Sequence, residues 1–130
     1  MMQLTNALNW FEIPVKNFDR AKKFYEAIFN YQMPESQMGP ARMGFFLYDF
    51  QSGKVGGAIV EREGFHEPSD KGSLIYLNCE PDLQVVLSRV ENAGGKILME
   101  KTEISPEQKL GFWAMIKDTE GNRVALHSMG

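Results

Sequence analysis

The 130-residue sequence predicts an α+β domain made of two βαβββ modules. Two observations carry this expectation. Apolar periodicity runs strand, helix and three strands, and the same order then starts again. The chain is also one domain long, with 43% hydrophobic and 24% charged residues, an ordinary globular composition. We therefore read residues 1–130 as a single domain, with module one at about 6–63 and module two at about 72–129.

The first strand is Asn9–Val15, where Phe11, Ile13 and Val15 share one face and Trp10, Glu12 and Pro14 the other. A helix follows at about 17–30. Asn17 is its N-cap, and Phe18, Ala21, Phe24, Tyr25, Ile28 and Phe29 form its apolar face. Residues 33–42 hold two prolines and a glycine and read as a short extended piece and a loop. Gly44–Tyr48 is a strand, Ser52-Gly53 a hairpin turn, and 55–62 the return strand. Gly56-Gly57 reads as a bulge or bend. The polar stretch 63–72 links the modules.

Leu74–Cys79 opens the second module. Pro81 is placed in the first turn of a helix, where its missing N–H costs nothing. Leu83, Val86, Leu87 and Val90 make its stripe, and Gly94-Gly95 end it. Lys96–Met99 and Gly111–Ile116 are strands separated by a polar loop at 101–109. Glu120-Gly121-Asn122 turns the chain into a last strand at Arg123–His127. The halves also echo in residues: Gly44-Phe45-Phe46 matches Gly111-Phe112-Trp113, 67 positions on, and the turn glycines Gly53 and Gly121 lie 68 apart.

Composition excludes several function classes. A net charge of −3 disfavours nucleic acid as a partner. No apolar run is long enough to span a membrane, and Met1–Asn6 shows no leader pattern. One cysteine, Cys79, allows no intrachain disulfide and reads as a buried, inert thiol. The expected location is cytoplasmic. With His66 and His127 the only histidines, a Cys/His-rich zinc site is nearly ruled out.

Ordered along the chain are Glu12-Ile13-Pro14-Val15, Asp19-Arg20-Ala21, Phe24-Tyr25, Gly56-Gly57-Ala58, Gly94-Gly95 and Asp118–Asn122. In that order and spacing they resemble the vicinal oxygen chelate superfamily, which contains glyoxalase I, bleomycin-resistance proteins and extradiol dioxygenases. The resemblance implies two modules that form a curved mixed-sheet cup, with the site on the concave wall. It also implies that a homodimer is plausible.

In the family's metal enzymes four wall positions carry His, Glu or Gln ligands. Those positions fall here on Trp10, Phe46, Leu74 and Ala125, all unsuited to a metal. The expectation is therefore no cofactor, with an apolar cup that binds a small organic molecule through Trp10, Phe46, Leu74, Tyr76, Trp113 and Ala125. The resistance and binding branch of the family is the better match. An alternative is a divalent metal in a displaced site, formed by Glu12, Glu61 and His127, for lyase, isomerase or dioxygenase chemistry. A third reading is metal-free proton transfer with His127 as base and Glu12 as a second catalytic group. A structural partner for Glu12 is expected in Arg42, Arg123 or a lysine.

Overall fold

The computed structural model describes residues 6–130; the leader reading of Met1–Thr5 lies outside them. The elements are β1 (Trp10–Pro14), α1 (Phe18–Phe29), β2 (Glu35–Met38), β3 (Ala41–Phe45), a single 3-10 turn, and β4 (Gly56–Glu61). Module two repeats them as β5 (Ile75–Asn78), α2 (Leu83–Leu87), β6 (Lys96–Glu103), β7 (Phe112–Lys117) and β8 (Arg123–Ser128). Each module makes its own four-stranded sheet, ordered β1-β4-β3-β2 and β5-β8-β7-β6. In each, the first and last strands pair in parallel and the others are antiparallel.

Asn17 caps α1 by accepting from the Arg20 N–H at 3.1 Å, and Asn30 ends it in the left-handed region. The buried face of α1 is Phe18, Ala21, Phe24, Tyr25 and Ile28. It shares one continuous core with Ile13, Val15 and Ile59 of sheet one, and with Leu77, Leu126 and α2 of sheet two. Both helices thus cover the same side of the molecule. The helix-free side of sheet one holds a smaller cluster of Met43, Ala58 and Val60 against Trp10 and Phe45.

Four local expectations are corrected. Pro81 precedes α2 and its cap, because Asp82 takes the N-cap position and accepts from the Gln84 N–H at 2.9 Å. The strand expected at Lys96–Met99 continues to Glu103, into the stretch read as loop. Gly56 and Gly57 form no bulge; they pair regularly with Trp10 and Phe11. A Cβ on Gly56 would sit 2.1 Å from the Tyr48 ring, and one on Gly57 2.4 Å from Phe11, so the glycines make room for aromatic rings.

The fourth correction concerns the repeat. The Val15 N–H donates to Val60 as the Cys79 N–H donates to His127, which aligns the two parallel ladders. On that alignment Ile59 matches Leu126, so their ladder partners Gly44 and Ala114 are equivalent. Gly111 is not the counterpart of Gly44, although the surrounding residues look alike. The β7–β8 ladder runs to Lys117 and Arg123 around a tight turn, whereas β3–β4 ends at Phe45 and Ala58 and leaves a long loop.

Candidate functional site

The two sheets meet along a seam between their edge strands β1 and β5. The larger cavity, about 1050 Å³, opens at one end of it. Phe11, Gly56 and Gly57 form one side, Leu74 to Asn78 the other, and the β3–β4 loop with Leu47 and Tyr48 closes the end. Two of the expected binding residues, Leu74 and Tyr76, stand on this wall. The Tyr76 ring is half exposed and stacks on Trp113 with centroids 5.9 Å apart and planes 12° apart. Phe46 also borders the cavity, but it lies on the helix side, packed among Phe11, Tyr25 and Phe29. The face assigned to it is therefore corrected: Phe45 follows Met43 on the helix-free face, and alternation turns Phe46 under α1.

Trp10 is on the helix-free face as expected from its strand position, tilted against Phe45 and edge-on to Tyr48. Ala125 lies beside Tyr76 in the β5–β8 ladder and is fully buried. Neither borders the large cavity.

The polar candidates are spread apart. Glu61 is on the wrong face for the displaced metal site: its carboxylate accepts from the Phe18 N–H at 2.8 Å and caps α1. His127 Nε2 donates to the Leu110 carbonyl at 2.8 Å. Glu12 accepts from His66 Nε2 at 2.8 Å and from the Trp10 indole at 3.4 Å. The partner expected for Glu12 among Arg42, Arg123 and the lysines is instead His66, from the linker. Sequence reading gave His66 no role, and a partner 54 positions away leaves no local signal.

Trp10, Phe46, Leu74 and Ala125 supply no metal donor, since an indole N–H only donates and the others are hydrocarbon. Among the described residues no three His, Cys, Asp or Glu side chains converge. The side chains present do not fit a divalent metal at the family's position or at the displaced one.

The modules are clamped together at the far end of the seam. Glu120, whose side chain is fully buried, accepts from the N–H groups of Lys16 and Asn17 at 2.9 and 2.7 Å. It also accepts from Arg20 Nε at 2.8 Å and the Thr119 hydroxyl at 3.0 Å. Burial pushes its pKa up, but Arg20 and the two amides outweigh that and hold it below the usual carboxylate value. Beside it the buried Tyr25 hydroxyl donates to Asp118 at 2.7 Å, and Asn122 ties Asp118 to the Pro14 carbonyl. Burial, then the Asp118 charge, pushes the Tyr25 pKa well above its ordinary 10.0.

Similarity to known proteins agrees with this architecture. A glyoxylase-like domain-containing protein of Didymella fabae is 29% identical over 129 residues, covering 96% of this chain and 95% of that protein. An antibiotic-binding protein, TnmS3, from Streptomyces sp. CB03234 superposes with a TM-score of 0.65 at 17% identity, covering 97% of this chain and 98% of that one. A glyoxalase I mutant from Zea mays superposes with a TM-score of 0.65 at 18% identity. This chain is covered to 94% but spans only 46% of the maize chain, about half its length. The profile of the Glyoxalase/Bleomycin resistance protein/Dioxygenase superfamily matches residues 7–126, and the chain belongs to that superfamily.

Proposed function

We propose that this protein binds a small organic molecule with a planar aromatic part in the seam cavity, and holds it without a metal ion. The observation that carries the reading is the half-exposed Tyr76 ring, stacked on Trp113 at the wall of a cavity of about 1050 Å³. A ring buttressed from behind by a second aromatic is a rigid stacking surface with little entropy to lose. The rest of the wall, with Phe11, Phe46, Leu74 and Leu77, is apolar, and Asn78, Asp49 and Lys54 provide a few polar contacts at its edge. Such a cavity, mostly apolar with sparse polar groups, is the usual form of a small-molecule site. TnmS3, an antibiotic-binding protein of the same fold, supports a small organic molecule as the ligand.

The geometry gives the proton-transfer reading no support. In the neutral ring His127 spends its Nε2 proton on Leu110, and Glu12 is engaged by His66 rather than by His127.

The test is a titration with fused-ring aromatic compounds, followed by tryptophan fluorescence and thermal shift, with and without a chelator. Saturable binding that survives chelation and weakens about tenfold in Tyr76→Ala supports the reading, a loss of the size expected from one stacked ring. Binding abolished by the chelator, or equal in Tyr76→Ala, overturns it.

A further inference from the structure

We propose that the smaller cavity, at the other end of the seam, binds a zwitterion of amino-acid size, separately from the aromatic site. This cavity is about 210 Å³ and lies between β1, the start of β8 and the linker. Its walls include Glu12, Arg123, Glu67, Lys71, Ser69 and Ser73.

Arg123 is the reason to look here. It sits directly opposite Lys117 in the β7–β8 ladder, so two cations share one face of the sheet. Like charges so placed are unfavourable unless a counter-charge joins them. Lys117 has one, Asp70 at 3.4 Å. Arg123 makes no ion pair among the described residues, and its Nε is buried with no acceptor. Nearly all buried N–H groups have partners, so an unsatisfied Nε is unusual, and the residue that carries it lines an open volume. A guanidinium is planar and presents paired N–H groups that match a carboxylate.

The other charges around the cavity narrow the class of ligand. Glu12 is not the partner of Arg123 in this structure: its oxygens bond His66 and Trp10, and it makes no ion pair with Arg123. Lys71 lies 3.9 Å from Asp70 and is mostly exposed. Glu67 stands on the wall with no ion pair among the described residues. The wall therefore carries two cations, Arg123 and Lys71, and two carboxylates, Glu12 and Glu67, and of these Arg123 and Glu67 make no ion pair among the described residues. A dianion would be repelled by Glu67, and a simple amine by Arg123. A molecule with a carboxylate at one end and an ammonium at the other satisfies both. The hydroxyl of Ser73 offers a further contact.

The test is an NMR titration of the full chain with L-alanine, acetate and ethylammonium, read at the Ser69, Ser73 and Asn122 amides. Saturable shifts with L-alanine, weaker ones with acetate, and at least about tenfold weaker alanine binding in Arg123→Gln are expected. Glu67→Gln should weaken L-alanine without weakening acetate. No saturable shift with any probe overturns the proposal, as does binding unchanged in Arg123→Gln. Acetate binding as well as L-alanine would overturn the zwitterion assignment. None of these residues borders the aromatic cavity, so failure here and failure there are read separately.

Discussion

Replacing Glu120 by Gln should loosen the joint between the modules, and the cost can be worked from its contacts. The carboxylate accepts from two backbone N–H groups on one oxygen and from Arg20 and Thr119 on the other. A glutamine has one acceptor oxygen. Turned toward the amides, it keeps those two bonds and points its NH₂ at the Arg20 guanidinium, donor against donor. Turned the other way, it leaves two N–H groups unsatisfied. Hydrogen bonds to charged groups contribute about 1.5–3 kcal/mol each. The Arg20 side chain is 53% exposed, so solvent screening reduces its share to at most about 1 kcal/mol. With Thr119 also affected, the expected loss is about 2 kcal/mol. In a domain of this size that lowers Tm by roughly 6–10 °C.

The pH dependence separates this mechanism from simple mispacking. The folded pKa of Glu120 is held below its ordinary 4.5, so the unfolded state binds the proton first. The stabilisation is therefore full above the unfolded value and is lost as pH falls through the folded one. Urea unfolding of wild type and Glu120→Gln at neutral and acidic pH should show the gap narrowing on acidification. A gap near zero at neutral pH, or one that is the same at every pH, would refute the argument.

Tyr25→Phe should act at the other end of the scale. Because the folded pKa is raised, stability contributed by neutral Tyr25 is full below about 10 and is lost as pH rises through the folded value, and the variant should lack that alkaline component. A smaller alkaline loss should remain, since burial also raises the Tyr31 pKa. Gly57→Ala places a methyl 2.4 Å from the Phe11 ring, so a cost of about 1–3 kcal/mol and a displaced Phe11 are expected from thermal melts and a crystal structure of the variant. Cys79 is 3% exposed and burial pushes its thiol up to about 12, so maleimide should label it in urea but not in native buffer at pH 8.

The parts of the fold that were legible are those with local causes. Asn17 followed by Phe18, Ala21, Phe24, Tyr25 and Ile28 fixes α1 by a cap and a period. Alternation placed Ile13 and Val15 inside and Trp10 and Glu12 on the other face. What failed depended on pairing between distant strands. The glycine echo suggested one register for the two hairpins, but their loops differ in length, and Ala114 occupies the place of Gly44. The face of Glu61 became readable only once Ile59 was known to pair with Ile13, which puts Val60 outward and Glu61 beneath the start of α1. His66 reaches Glu12 by a loop that carries no periodic signal.

The position of the candidate site follows from the same topology. Parallel pairing of β1 with β4, and of β5 with β8, leaves β1 and β5 as edges that join no common sheet. Side chains must fill the space between those edges, and where they do not, a cavity remains. At one end Gly56 and Gly57 withhold their side chains, so Tyr48 and Phe11 swing into the room they leave and line an aromatic wall. At the other end Asn122, in the turn before β8, bonds the Pro14 carbonyl at the end of β1, and the cavity there is smaller with a more polar lining. The clamp through Glu120 and Tyr25 continues through Asp118 to Asn122, which lines the smaller cavity, whereas none of its residues borders the larger one. A substitution that loosens the clamp should alter ligand affinity at both ends in parallel with stability. A residue that only lines one cavity, such as Tyr76 or Arg123, should change affinity at its own end and leave stability nearly unchanged. That contrast distinguishes a binding role from a folding role for each residue of the seam.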